Sequence, residues 1–131
     1  MFGFFARPKV LIIDDDASVR RLVRARLEKK EGVDVLEAGD GERGLDIARS
    51  EKPDLILLDW LMPDVSGINV LIRLGKNENT KNIPVIMLTA KSKMADVEGA
   101  LCEGAMGYLC KPPNLKEVGA KVREILDLER V

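Results

Sequence analysis

The sequence predicts an α/β protein: five strands and five helices in strict alternation, forming a doubly wound parallel sheet in the order 2-1-3-4-5. Three observations carry that prediction. The runs KVLII (9–13), DLILL (54–58) and PVIML (84–88) are continuously apolar, the pattern of strands covered on both faces. Helical patterns fill the gaps between apolar runs, and crossovers between parallel strands are right-handed almost without exception. Turn-forming clusters AGDG (38–41), MPDVSG (62–67) and KPPN (111–114) punctuate the connections.

Taken in order, KVLII opens the sheet and runs into Asp14, Asp15 and Asp16. A first helix follows with Val19, Leu22, Val23 and Leu27 on one predicted face, and either Asp16 or Ser18 suits its N-cap. Its basic residues Arg20, Arg21, Arg24, Arg26, Lys29 and Lys30 read as a solvated face. VDVLEA (33–38) alternates at its start and fits a sheet edge, with a helix expected around 41–51. DLILL ends in Asp59, and a helix is expected around 65–75. PVIML ends in Thr89, after which Met94, Val97 and Leu101 form a stripe at helical spacing. GYLC (107–110) is short enough for the other edge and leads into Lys111. Leu115, Val118, Val122, Ile125 and Leu126 mark the last helix, with Asn114 and Glu117 spaced as a cap.

Composition narrows the function classes. A chain of 131 residues, 46% hydrophobic and 33% charged, is read as one domain over 9–128 with no output domain. Twenty-one basic residues against 22 acidic ones leave a net charge of −1, so no broad basic field suggests direct nucleic-acid binding. Cys102 and Cys110 form no C-x-x-C and the chain has no histidine, which argues against a zinc site and reads as free thiols in a reducing compartment. No apolar run approaches the about 20 residues of a membrane span, and MFGFFARP is too short for a signal-peptide core. The compartment expected is the cytoplasm. All three phenylalanines, Phe2, Phe4 and Phe5, fall in an apolar extension over 1–8, so the core is expected to hold none.

The residues that close the apolar runs carry the functional signal. Ligands in open α/β sheets bind outside the carboxyl ends of the strands. Asp14–Asp16, Asp59, Thr89 and Lys111 all fall on that edge, and the first and third strands are neighbours in the expected order. Clustered carboxylates repel, and a hard divalent cation relieves the repulsion; Mg²⁺ prefers one or two carboxylates with waters and phosphate oxygens. A metal, a lysine and a hydroxyl together suit a phosphoryl group in transit, and a carboxylate can serve as its nucleophile. Such an anionic turn suits neither a flavin nor a dinucleotide, whose phosphates want bare amides.

VLIIDDDAS, DLILLDWLMPDVSG, IPVIMLTA and GYLCKPP, in this order and spacing, resemble the receiver domain of two-component response regulators, over residues 9 to about 127. The resemblance implies a flavodoxin-like receiver fold. It implies that Asp59 accepts a phosphoryl group from the phosphohistidine of a sensor histidine kinase or phosphotransfer protein. Asp14 and Asp15 would hold Mg²⁺ with Asp59 and the backbone carbonyl of Trp60. Thr89 would be the switch hydroxyl, Lys111 the lysine that pairs with the phosphoryl group, and Tyr108 the aromatic that turns inward. Lys111–Pro112 matches a peptide usually cis in the family, and Leu61 and Lys91 occupy places that tune phosphoryl lifetime there. The resemblance implies no catalysis beyond the domain's own phosphotransfer and autodephosphorylation. Its implied partners are a downstream protein met through the fourth helix, fifth strand and fifth helix, and a second copy on phosphorylation.

A phosphatase reading competes, because Asp14-x-Asp16-x-Ser18 resembles the start of haloacid-dehalogenase-type enzymes, which also form an aspartyl phosphate. It leaves Asp59 without a role, and nothing acidic after Lys111 completes that family's metal site. A scaffold-like receiver that is never phosphorylated is a third reading, although all the required side chains are present.

Overall fold

The structure, a computed structural model, describes residues 7–129, so Phe2, Phe4 and Phe5 of the expected apolar extension lie outside the described residues. Strands and helices alternate as β1 (Lys9–Ile13), α1 (Ala17–Lys30), β2 (Asp34–Ala38), α2 (Gly41–Glu51), β3 (Leu55–Leu58), α3 (Gly67–Lys76), β4 (Val85–Thr89), α4 (Met94–Cys102), β5 (Gly107–Cys110) and α5 (Leu115–Glu129). All four strand pairings are parallel, in the order β2-β1-β3-β4-β5.

Side chains alternate across a strand, and that period of two divides the core into two layers. Val10 and Ile12 of β1, Leu55 and Leu57 of β3, and Ile86 and Leu88 of β4 meet Val19, Val23 and Leu27 of α1 and Val118, Val122 and Ile125 of α5. The intervening residues Leu11, Ile13, Ile56, Leu58, Val85 and Met87 face the other way, onto Leu45 of α2 and Val70, Leu71 and Leu74 of α3. Each such side chain, fully buried, contributes about 1.5–3 kcal/mol of transfer free energy. This two-sided burial is why the central strands read as unbroken apolar runs.

Two predicted helix faces differ from the structure. Val19, Val23 and Leu27 are buried, but Leu22 is 53% exposed. Consecutive helical residues are separated by roughly 100° around the axis, which carries Leu22 off the narrow stripe α1 buries. In α4 the burial falls on Ala100, while Met94 and Leu101 are 70% and 46% exposed. Of the stripe at helical spacing, Val97 is half-buried and the other two residues face outward.

Polar side chains fix where the helices begin. Asp16, not Ser18, caps α1: its Oδ1 accepts the N–H groups of Ser18 (2.9 Å) and Val19 (3.3 Å). Asn114 Oδ1 accepts the Glu117 N–H at 3.1 Å at the start of α5. The α2 terminus is capped twice. Asp40 Oδ1 accepts the Arg43 N–H at 2.8 Å, and Asp64, from the β3–α3 connection, accepts those of Gly41 (3.0 Å) and Glu42 (2.9 Å). The Glu42 and Gly41 N–H groups hold the Asp64 carboxyl at about 2, below its ordinary 3.8. Beyond its other end, α2 stops at Lys52 in the left-handed region, φ 45° and ψ 64°.

Two predictions follow from these helix ends. Only glycine occupies the left-handed region without steric cost, so Lys52→Gly should stabilise the fold by up to about 1 kcal/mol, read as a rise in Tm. For Asp64, the folded-state pKa lies below the unfolded one, so its contribution is complete above pH 3.8 and is lost as pH falls through about 2. Asp64→Asn removes the charge and leaves one acceptor oxygen for two N–H groups, so it should lower stability at pH 7, and the two proteins should converge in chemical denaturation as the pH is lowered through that window.

Candidate functional site

The carboxyl edge of the sheet builds the site by prolonging the strand ladder. The Asp14 N–H donates to the Ala38 carbonyl at 3.0 Å and the Asp59 N–H to that of Ile13 at 2.9 Å. These bonds tie the residue after β1 to β2, and the residue after β3 to β1. At the far side the Lys111 N–H reaches the Thr89 carbonyl at 2.9 Å, setting the lysine just beyond β5.

The side chains then converge. Asp14 and Asp59 are 2% and 4% exposed, and Asp15 beside them is exposed. One carboxylate oxygen from each of Asp14, Asp15 and Asp59 lies within 4.8 Å of the other two. The Lys111 ammonium sits between the buried pair, 2.8 Å from Asp14 Oδ2 and 3.0 Å from Asp59 Oδ2. Asp14 Oδ1 accepts the Asp16 N–H at 2.9 Å and Asp59 Oδ1 that of Leu61 at 3.3 Å. Burial raises the Asp14 pKa, the nearby Asp59 charge adds to this, and the Lys111 and Asp16 hydrogen bonds work against it. Burial also opposes charge on Lys111, but hydrogen bonds from its ammonium to Asp14 and Asp59 prevail and raise its pKa. One ammonium shared by two carboxylates secures its own charge and compensates each of them only in part.

A divalent cation fits this donor set. Three carboxylates within reach of one another and a single ammonium leave an excess of negative charge, and hard oxygen donors are what Mg²⁺ requires. The Trp60 carbonyl, expected as a further donor, accepts the Gly67 N–H at 2.8 Å in the β3–α3 turn, which leaves it one lone pair. That turn needs a glycine: a Cβ at Gly67 would lie 2.1 Å from the Asp59 carbonyl oxygen. Side-chain bulk is excluded where α3 begins against the backbone of Asp59.

Thr89 is completely buried at the end of β4, and its Oγ1 accepts the Lys91 N–H at 3.3 Å. The Tyr108 hydroxyl donates to the Lys91 carbonyl at 2.7 Å, which joins β5 to the β4–α4 loop. The Lys91 ammonium stands 4.8 Å from the centre of the Trp60 ring and 3.6 Å from Asp96 Oδ2. Lys91 thus touches groups from the β3–α3 connection, β4, α4 and β5. The Lys111–Pro112 peptide is cis. Cys102 and Cys110 are free and exposed.

Sequence reasoning missed one residue. Arg20, read as part of a solvated face, is only 19% exposed and donates from Nη1 to the Asp14 carbonyl at 2.6 Å. Its position six residues after Asp14, one helical turn into α1, is the only signal the sequence offered.

The response regulator receiver domain family profile matches residues 10–123. The chain is 44% identical over 119 residues to the DNA-binding dual master transcriptional regulator RpaA of Synechocystis sp., covering 91% of this chain and 49% of that protein. It is 39% identical over 117 residues to the phosphate regulon transcriptional regulatory protein PhoB of Pseudomonas aeruginosa, covering 89% and 51%. Among solved structures, a CheY-like response regulator receiver domain protein from Methanospirillum hungatei JF-1 superposes with a TM-score of 0.88 at 29% identity, covering 95% of this chain and 98% of that one.

The chain spans about half the length of the curated relatives it matches. One of them is a DNA-binding regulator by name, and this overturns the exclusion of nucleic acid drawn from the net charge of −1. Charge summed over half of such a protein's length carries no information about what the other half binds. Among the described residues no helix is long and apolar enough to cross a membrane. With five parallel strands in the order 2-1-3-4-5, an acidic cluster at their carboxyl edge and a family match over residues 10–123, this chain belongs to the response regulator receiver domain family.

Proposed function

We propose that the chain accepts a phosphoryl group on Asp59 from the phosphohistidine of a sensor histidine kinase, in a Mg²⁺-dependent reaction in the cytoplasm, and that the modification alters its protein-binding surface. The observation that supports this reading best is the shared ammonium: Lys111 bridges Asp14 and Asp59 while Asp15 completes a cluster with too little positive charge.

Asp14, Asp15 and Asp59 would hold the metal. When bound, Mg²⁺ offsets the carboxylate charge and polarises the phosphoryl oxygens. An Asp59 carboxylate oxygen attacks phosphorus, the bond from phosphorus to the donor's imidazole nitrogen breaks, and its electron pair stays on the imidazole. Lys111 keeps its proton throughout and offers a charge-assisted hydrogen bond to the transferred group. Asp14 stays behind as a carboxylate that anchors the ammonium. Asp59 then carries nearly two negative charges and three strong acceptor oxygens. The buried Thr89 hydroxyl is the neutral donor on the neighbouring strand, and Tyr108 is tied through Lys91 to the same loop. A shift of that loop would reach β5 through the Tyr108 hydrogen bond, a two-state change biased by local charge. Hydrolysis of the acyl phosphate in the same site returns Asp59 to its free form.

Intact-mass spectrometry after incubation with acetyl phosphate tests the acceptor. A gain of one phosphoryl group that requires both Mg²⁺ and Asp59 is expected; labelling retained in Asp59→Asn and lost in Asp14→Asn would point instead to the phosphatase-like reading. Lys111→Met tests the charge balance. Removing the ammonium leaves two buried carboxylates facing each other, so the metal-free Tm should fall, and the rise in Tm on adding Mg²⁺ should exceed that of the unsubstituted protein.

A further inference from the structure

We propose that Arg20 is a positioning residue for the metal-holding acidic pair, acting through the peptide that joins Asp14 to Asp15. The proposal rests on reading the site as a Mg²⁺-dependent phosphoryl acceptor. The carbonyl of Asp14 and the N–H of Asp15 belong to one planar unit, so the direction of that carbonyl sets where the Asp15 Cα goes. Arg20 Nη1 donates to this carbonyl at 2.6 Å, and the N–H on the other side of Asp14 is held by Ala38 at 3.0 Å. Both ends of Asp14 are therefore fixed from outside the turn. Asp15 is exposed, and no hydrogen bond to its carboxylate is seen among the described residues, so its placement depends on the backbone that carries it.

The guanidinium is itself held in place. Its Nε donates to Glu37 Oε1 at 2.9 Å, and Glu37 Oε2 accepts Arg24 Nη1 at 2.8 Å. Arg24 in turn reaches Glu28 Oε2 from Nε at 3.2 Å. Hydrogen bonding to Arg24, more than to Arg20, lowers the Glu37 pKa below the ordinary carboxylate range. Two guanidiniums and two carboxylates cancel in charge. The network thus delivers a rigid fork to the Asp14 carbonyl without adding net positive charge beside a cation site. A lysine cannot span both acceptors in that fixed geometry.

Charge and geometry make opposite predictions, which renders the proposal testable. Arg20→Met removes a positive charge near the cation, so charge alone would tighten Mg²⁺ binding; loss of the turn's support weakens it. Isothermal titration of the full chain with Mg²⁺, well below the Tm, reads the difference. Support at one remove from a metal is typically worth 10–100-fold in affinity, and Arg20→Met is expected to raise the Mg²⁺ Kd on the order of tenfold. Arg20→Lys, which keeps the charge, is expected to raise it less but measurably, and it decides the matter if Arg20→Met does not fold. A Tm change in metal-free protein reports the structural share separately. An unchanged or lower Kd in these variants overturns the proposal. If the unsubstituted protein takes up no Mg²⁺, the reading of the site fails and this proposal falls with it; if it binds and the variants bind alike, only the role of Arg20 is lost.

Discussion

One ammonium between two buried carboxylates is the constraint on which the carboxyl edge of this protein depends. Asp14 and Asp59 come from neighbouring strands and would repel at neutral pH if nothing positive stood between them. Lys111, delivered from the opposite edge of the sheet just past β5, supplies that charge at 2.8 and 3.0 Å. Burial penalises ionisation of both Asp14 and Lys111. The ammonium wins because two carboxylates support it, and each carboxylate is left with only part of a counter-charge. This imbalance is why a divalent cation fits the donor set.

Such an arrangement needs a rigid platform, and the two-layer core provides it. Strand residues alternate between the α1/α5 layer and the α2/α3 layer, so a slip of one residue would exchange the layers. Register is therefore strongly specified, and with it the place where each strand releases its last residue. The ladder continues past the strands through the N–H groups of Asp14, Asp59 and Lys111, carrying that precision into the site. Gly67 adds a steric condition, since α3 starts so close to the Asp59 backbone that a Cβ would collide with it.

Around the carboxylates the loops are joined rather than independent. The Tyr108 hydroxyl and the Thr89 hydroxyl both meet the main chain of Lys91, whose ammonium faces the Trp60 ring and Asp96. Trp60 follows Asp59 in sequence, so Lys91 links the neighbourhood of Asp59 to β5. On the other flank, Arg20, Glu37 and Arg24 tie α1 and β2 to the turn that carries the acidic pair. The two flanks differ in kind: the first joins a buried hydroxyl and an aromatic hydroxyl through the main chain of one residue, the second is a charge-balanced fork.

Most of the fold and much of the site were legible in the sequence, for a physical reason. Continuous apolar runs are what two-sided burial demands, and polar residues directly after them must lie at one edge of a parallel sheet. Asp14, Asp15, Asp59, Thr89 and Lys111 could thus be assigned to a common edge, and three continuous interior runs with two edge-like ones fit the order 2-1-3-4-5. Sequence also went wrong in instructive places. Leu22 lies exposed because the stripe α1 buries is narrower than the predicted face, and Met94 and Leu101 lie exposed because periodicity states which residues share a face and not what that face meets. Net charge argued against nucleic acid, yet it is a sum over a chain that spans about half the length of its curated relatives. Only the tertiary structure decided that Asp16 caps α1, that Gly67 engages the Trp60 carbonyl, and that Arg20 turns inward to the Asp14 carbonyl. Each of these depends on a direction in space between groups whose sequence spacing is compatible with several others, and packing alone selects among them.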